Sequence, residues 1–544
     1  MPVSFTPVLL TQQLSFQLDT GEWLFEDINF SLNHRLTGLV GRNGVGKSVF
    51  FSLLLGKLAP TRGHVTRQGK VAYYSQLPSE LLGTALSIAQ YLGVSEKILA
   101  LKAIELGSCD PKHFEVIGED WDVESRTKQL LATLRISPDL DAYCHTLSGG
   151  QMALLQLHQL FESDADILLL DEPSNHLDRE GRHWLIEKMK QFEGQVLLIS
   201  HDRALLRHVE GIYQLTSLGL RFFKGDYDAF HEQSTTQSEA LDKQISGLKS
   251  EQKRLERQAQ ANKEKAQQRE SQGNRLRRSG SQPKILLDAM KDKAGRSRSA
   301  AVTNQQNLME RNQAKLNTLT QQQEVLKPQA MYLQQSTQAK KNTLLSVEDC
   351  QLEFGSKTLI SFSLAQTERC YVQGGNGCGK STLLKAIHEK SGHEKAGHIK
   401  ASHGAHSSYS GVIKTQVETV YLDQHFGLLD LDDSMLDSLM KHCRGMTESD
   451  ARILLAGIGF RRDSVYRKVA YLSGGEKMKL SMLLVSHRPH LPLLLLDEPD
   501  NHLDIDSKHL LAMALKAYKG AFLLVSHDED FVAEVGINKC ILLK

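Results

Sequence analysis

Two stretches of this sequence set glycines around a lysine and a hydroxyl: GRNGVGKS at 41–48 and GGNGCGKS at 374–381. Each follows a short apolar run and opens a helix-like segment, which is the setting a phosphate-binding loop requires. Glycines let backbone N–H groups approach phosphate oxygens, and the helix N-terminus adds a favourable dipole. The first cradle is Gly41, Arg42, Asn43, Gly44, Val45 and Gly46, with Lys47 placed to reach β- and γ-phosphates and Ser48 to ligate Mg²⁺. The second is Gly374, Gly375, Asn376, Gly377, Cys378 and Gly379, with Lys380 and Ser381 in the matching places and Thr382 next to them as a further nucleotide-binding candidate.

Each loop is followed by two carboxylates at the end of an apolar run, ILLLDE at 167–172 and LLLLDE at 493–498. Asp171 and Asp497 suit a Mg²⁺ shell, while Glu172 and Glu498 suit polarisation of an attacking water. A second apolar run then ends in SHD, which puts His201 and His527 within reach of a γ-phosphate. Gln76 and Gln424 end strand-like segments after the loops and can contact the metal or the water. LSGGQ and LSGGE offer Ser148, Gly149, Gly150 and Gln151, and Ser473, Gly474, Gly475 and Glu476, as a further anion site near a helix start.

These motifs recur in one order at offsets of 325 to 333 residues, so the chain is one domain written twice. The expected organisation is a first cassette over 1–233, a helical segment over 234–341 and a second cassette over 342–544. The middle segment is rich in Gln, Lys, Arg, Glu and Ala, which favour helix. Leu241, Ile245, Leu248 and Leu255, then Leu308, Leu316, Leu319 and Leu326, suit the narrow stripe of two helices folded back on each other. About 30 helical residues would project the turn by roughly 45 Å. The fold class is α/β: two P-loop nucleoside-triphosphatase domains joined by a long α-helical hairpin.

The formal net charge of the 544 residues is only +1, but residues 263–298 hold eleven basic and four acidic side chains. That segment is therefore +7 and the remainder −6. Arg275, Arg277, Arg278, Lys284, Lys291, Lys293, Arg296 and Arg298 form a basic tip suited to nucleic-acid phosphates. Seven scattered cysteines without a C-x-x-C pair read as reduced thiols, which excludes a disulfide frame or a zinc site. No signal peptide and no apolar run of roughly 18–20 residues is present, so the reading is a cytoplasmic protein without a membrane segment of its own.

The full motif set resembles the ATP-binding cassette (ABC) superfamily. Tandem cassettes, a helical pair between them and NHLD after each glutamate resemble its ABC-F branch. The resemblance implies an ATPase in which the signature of one cassette closes over ATP and Mg²⁺ held by the other, within a monomer. It further implies binding to the ribosome at the tRNA exit site, with the linker reaching rRNA and peptidyl-tRNA near the peptidyl-transferase centre. A translation factor and an antibiotic-resistance protein both fit, and the alternative is the ATPase subunit of a transporter with a separate membrane partner. The resemblance also implies an aromatic under adenine: Phe354 fits in the second cassette and Phe16 is its candidate in the first. Ser174 and Asp500 stand where the family usually has Thr, and Gln151 is matched by Glu476, so unequal sites are expected. The segment 77–146 is not expected to carry a prominent extra arm.

Overall fold

The protein is described by a computed structural model covering residues 8–75, 86–175, 177–278, 303–319, 343–355, 357–393, 409–423, 426–443, 445–460, 462–487, 492–501 and 503–543. Two compact units divide it: Met1–Tyr227 together with Pro328–Lys544, and Asp228–Lys327.

In the first cassette the strands are β1 (Val8–Gln17), β2 (Trp23–Ser31), β3 (Leu36–Gly41), β4 (Arg62–Gln68), β5 (Val71–Tyr74), β6 (Ile167–Asp171), β7 (Gln195–Ile199), β8 (Gly211–Thr216) and β9 (Gly219–Lys224). A six-stranded sheet runs β5-β6-β7-β3-β8-β9, parallel except for its last strand, and β2-β1-β4 form a separate antiparallel sheet. Both faces of a parallel sheet are covered, so its strands read as unbroken apolar runs. Leu168, Leu169 and Leu170 are accordingly fully buried.

The second cassette repeats this with β10 (Thr343–Leu352), β11 (Ile360–Ala365), β12 (Arg369–Gln373), β13 (Tyr409–Thr415), β14 (Thr419–Leu422), β15 (Leu493–Asp497), β16 (Phe522–Val525) and β17 (Lys539–Leu542). Its sheets run β14-β15-β16-β12-β17 and β11-β10-β13. In each parallel sheet the strand before the phosphate loop, the strand ending in the acid pair and the strand before SHD are neighbours. Their carboxyl ends therefore bring the three motifs to one edge, where open α/β sheets bind ligands.

One departure from expectation lies between the strands. The helical stretch of the first cassette carries helices Ser95–Glu105 and Pro111–Ile117, which pack on each other, between Ile88–Tyr91 and Val123–Thr133. In the second cassette the helix Met435–His442 is followed directly by Glu448–Gly457. The first cassette thus does hold an inserted helical pair, anchored by buried Ile98, Leu101 and Ile117. Its motif-free sequence hides it: Leu99 and Leu106 are exposed, which blurs the helical stripe.

In the second unit, helix Tyr227–Arg278 and the helix over 303–319 lie antiparallel. Ile245, Leu255 and Leu316 are buried between them, as the stripe predicts. Leu308 is not: it is exposed, and Asn312 takes an inward place instead. The Asn312 amide donates to the Leu248 carbonyl at 3.1 Å and to Gln252 Oε1 at 2.9 Å. Bonded this way, a buried amide fixes the register of two helices where an apolar residue would let them slide. Of the basic tip, Arg275, Arg277 and Arg278 end the long helix, and Lys284, Lys291, Lys293, Arg296 and Arg298 lie outside the described residues.

Candidate functional site

Lys47 begins the helix Lys47–Leu55, and its N-cap, Gly46, sits at φ 101°, a conformation that glycine adopts without strain. A side chain at Gly46 would also collide with Leu24. The Lys47 ammonium donates to the carbonyls of Gly41 at 2.7 Å and Arg42 at 3.1 Å, and it lies 3.0 Å from His201 Nε2. In the second cassette Lys380 donates to the carbonyls of Gly374 at 2.9 Å and Gly375 at 2.8 Å.

The acid pairs sit in backbone that most residues avoid. Glu172 has φ 49° and Glu498 φ 51°, both in the left-handed region immediately after a buried strand. Such strain persists only where surrounding bonds hold it. Here the Glu172 N–H donates to the Ile199 carbonyl and the Glu498 N–H to the Val525 carbonyl, each at 2.9 Å. This kink aims each glutamate at its SHD histidine: His201 Nε2 is 3.5 Å from Glu172 Oε1, and His527 Nε2 is 3.3 Å from Glu498 Oε1.

The surroundings push the two glutamates apart. Burial raises Glu172 to about 7, against the pull of Lys47. Burial also opposes ionisation of Glu498, but His527, Lys380 and Asn501 outweigh it and hold the carboxyl below its usual range. His201 is driven well below the ordinary imidazole range by burial and by Lys47, so its ring is neutral and can accept from the lysine. Asp171 and Asp497 are both raised by burial. Each accepts from the loop serine, Ser48 or Ser381, and from a tyrosine hydroxyl, Tyr73 at 3.5 Å and Tyr421 at 2.8 Å. The second carboxylate oxygen of Asp497, Oδ1, is buried without a hydrogen-bond partner among the described residues. A buried anionic oxygen without a donor is costly, and hard oxygen donors beside a loop hydroxyl are the set that Mg²⁺ takes. Gln76 and Gln424 lie outside the described residues.

Ser148 and Ser473 cap the helices Gly149–Phe161 and Gly474–Ser486 in complete capping boxes. Gln151 and Glu476 are the third partners of those boxes, which explains why either residue serves there. Glu476 also pairs with Arg467 at 2.7 Å, whereas the Gln151 amide donates to the Arg135 carbonyl at 2.9 Å.

The two cassettes face each other. Asn43 N–H donates to Asp504 Oδ2 at 3.2 Å, and Arg42 lies 3.7 Å from Asp506. A cavity of about 250 Å³ is lined by Asn43, Gly44, Glu172 and His201 from the first cassette and by Ser473, Gly474, Asp500 and Lys508 from the second. One phosphate loop thus shares a cavity with the signature of the other cassette. Around it, Arg207 grips Asp530 through two bonds of 2.8 and 2.9 Å, Arg179 lies 3.1 Å from Glu529, and Arg203 pairs with Glu534. Arg42 and Asn43 are half-buried here, while their counterparts Gly375 and Asn376 are exposed.

The aromatic candidates fare differently. Phe354 is exposed, and its carbonyl lies where a side chain on Gly379 would collide, so it sits beside the second phosphate loop. Phe16 packs on Phe25 with ring centroids 6.4 Å apart, against the core of the first cassette. Leu24, not Phe16, meets the first phosphate loop at Gly46. The reason is the turn at 18–22, which hands that position to the start of β2.

The motif pattern described as "ABC transporter" matches residues 25–175 and 358–501. The chain belongs to the ABC family. It is 27% identical to ABC transporter F family member 5 of Arabidopsis thaliana, over 96% of this chain and 73% of that protein. It is 29% identical to "Probable ATP-binding protein YheS" of Haemophilus influenzae, over 94% and 75%. A solved structure titled "RNase-L Inhibitor" superposes with a TM-score of 0.53 at 15% identity, covering 98% of this chain and 87% of that one, a likeness of fold. The protein is an ATP hydrolase of the ABC-F type. No helix among the described residues is long and apolar enough to cross a membrane.

Proposed function

We propose that this ABC-F protein binds the ribosome while its heads are closed on ATP, and leaves when ATP is hydrolysed. The observation that carries the head-closure part is the shared cavity, in which Glu172 and His201 of one cassette meet Ser473 and Gly474 of the other. In this reading Lys47 and Lys380 bind the ATP phosphates, and the glycines of each loop let the backbone approach. Ser48, Ser381, Asp171 and Asp497, with Gln76 and Gln424, would hold Mg²⁺, which when bound neutralises charge on the transferring phosphoryl group. Glu172 and Glu498 orient and deprotonate the attacking water, and His201 and His527 position the γ-phosphate. The signatures Ser148–Gln151 and Ser473–Glu476 close over nucleotide from the opposite side, and Phe354 stacks on adenine.

The basic segment over 275–298 supports rRNA or peptidyl-tRNA as the linker's target, since every neutralised phosphate releases counterions. In this reading the protein sits at the tRNA exit site with its linker directed to the peptidyl-transferase centre, a placement that the ABC-F type supports. A role as translation factor or in antibiotic protection belongs to the same reading. The test is co-sedimentation of the Glu172→Gln/Glu498→Gln double variant with ribosomes, with and without ATP, over a salt series. ATP-dependent association that weakens with salt is expected. Absence of association with ATP binding intact would refute it and direct the search to a membrane partner.

A further inference from the structure

Four residues after the aspartate of each NHLD stands a cation, Arg182 in the first cassette and Lys508 in the second. Neither belongs to a nucleotide motif, yet both are drawn into the interface between heads. Lys508 is buried, with its ammonium 2.8 Å from Asp528 Oδ2 and 3.2 Å from the backbone carbonyl of His201 in the opposite cassette. Arg182 mirrors it: Nε lies 3.2 Å from Asp202 Oδ2, and Nη1 donates to the His527 carbonyl at 2.6 Å. Each cation thus ties the SHD aspartate of its own cassette to the SHD histidine of the other.

We propose that Lys508 is a positioning residue for hydrolysis in the first site, and Arg182 its counterpart for the second. The inference rests on the site assignment proposed above and adds a residue to each site from across the interface. Holding the His201 carbonyl fixes the segment whose ring lies 3.5 Å from Glu172. The hold exists only while the heads are together, so a geometry suited to hydrolysis is completed by closure. A displacement of about 1 Å in such a segment is enough to slow chemistry about a hundredfold.

The competing account is that Lys508 only neutralises its buried neighbours Asp500 and Asp528, which the charges around it also fit. The two accounts separate in the full-length Glu498→Gln protein, in which the first site alone turns over. Lys508→Met in that background should lower kcat for ATP about tenfold or more, with KM changed less than about threefold. Lys508→Arg, which places the twin's guanidinium there, should recover kcat to within about threefold. Lys508→Met/Asp500→Asn removes one charge of each sign. It should regain thermal stability but not kcat. Recovery of kcat in that double variant, or an unaltered kcat in Lys508→Met, overturns the proposal. If Lys508→Met does not fold, the double variant and Lys508→Arg still decide. A Glu498→Gln parent without any turnover, against an active Glu172→Gln protein, would instead refute the site assignment, and the proposal with it.

Discussion

In the first cassette the loop lysine reaches the SHD histidine, Lys47 to His201 at 3.0 Å; in the second, the histidine stands nearer its glutamate, His527 to Glu498 at 3.3 Å. The motif letters are the same and the electrostatics are not. Burial dominates around Glu172, and favourable partners dominate around Glu498. A short motif therefore fixes which groups meet, while the second layer of packing sets which proton each carries.

The largest test of that difference separates the two glutamates. Glu172→Gln and Glu498→Gln should each cut turnover in the altered site by about a hundredfold or more. The remaining rate, followed by phosphate release against pH, should differ between them. A base works only when deprotonated, and Glu172 is raised to about 7. Turnover by the first site alone, in Glu498→Gln, should therefore fall as pH drops through about 7. Turnover by the second site alone, in Glu172→Gln, should persist to lower pH because Glu498 is held below its usual range. Coincident acid limbs would erase the comparison.

A middle-sized effect concerns the interface. Arg207→Glu should weaken ATP-driven closure by about 1–3 kcal/mol, since it replaces a two-bonded, partly buried pair with repulsion. Arg207→Glu/Asp530→Arg should restore much of it. Distance between fluorophores on the two cassettes reads both, and a double variant no better than the single would show that the pair does not couple the heads.

The smallest effect is on stability. Asp500 is buried and raised from 3.8 to about 6, mainly by burial, where the first cassette has neutral Ser174. The unfolded carboxyl ionises from about 3.8 and the folded one only near 6, so the folded state binds more protons between them. The penalty is absent below that window and complete above it. Asp500→Asn should thus stabilise the protein more at pH 8 than at pH 5, by about 1–2 kcal/mol. Thermal melts at the two pH values check it, and an equal gain at both would remove the burial explanation.

What could be read from the chain beforehand follows from what is local. Loop, acid pair and SHD each occupy a contiguous run, and a buried parallel strand announces itself as LLLL. Arg182 and Lys508 were missed because their partners lie some 300 residues away, though superposing the two copies puts both four residues beyond NHLD. Leu308 misled for a related reason: a stripe drawn through leucines alone passes over Asn312, whose inward place depends on an acceptor in the other helix. The pair Ser95–Ile117 carries no motif, and its place in one apolar cluster with Ile88, Leu131 and Leu155 marks it as part of the cassette.

Among the described residues, the arginines paired across the interface come from the first cassette and their carboxylate partners from the second: Arg179 with Glu529, Arg203 with Glu534, Arg207 with Asp530. Two identical halves would have no reason to sort this way. Once sorted, a first cassette meeting another molecule's first cassette presents arginine to arginine, and second meeting second presents acid to acid. Duplication inside one chain has in this way given the pairing of heads a direction: like heads repel and unlike heads attract.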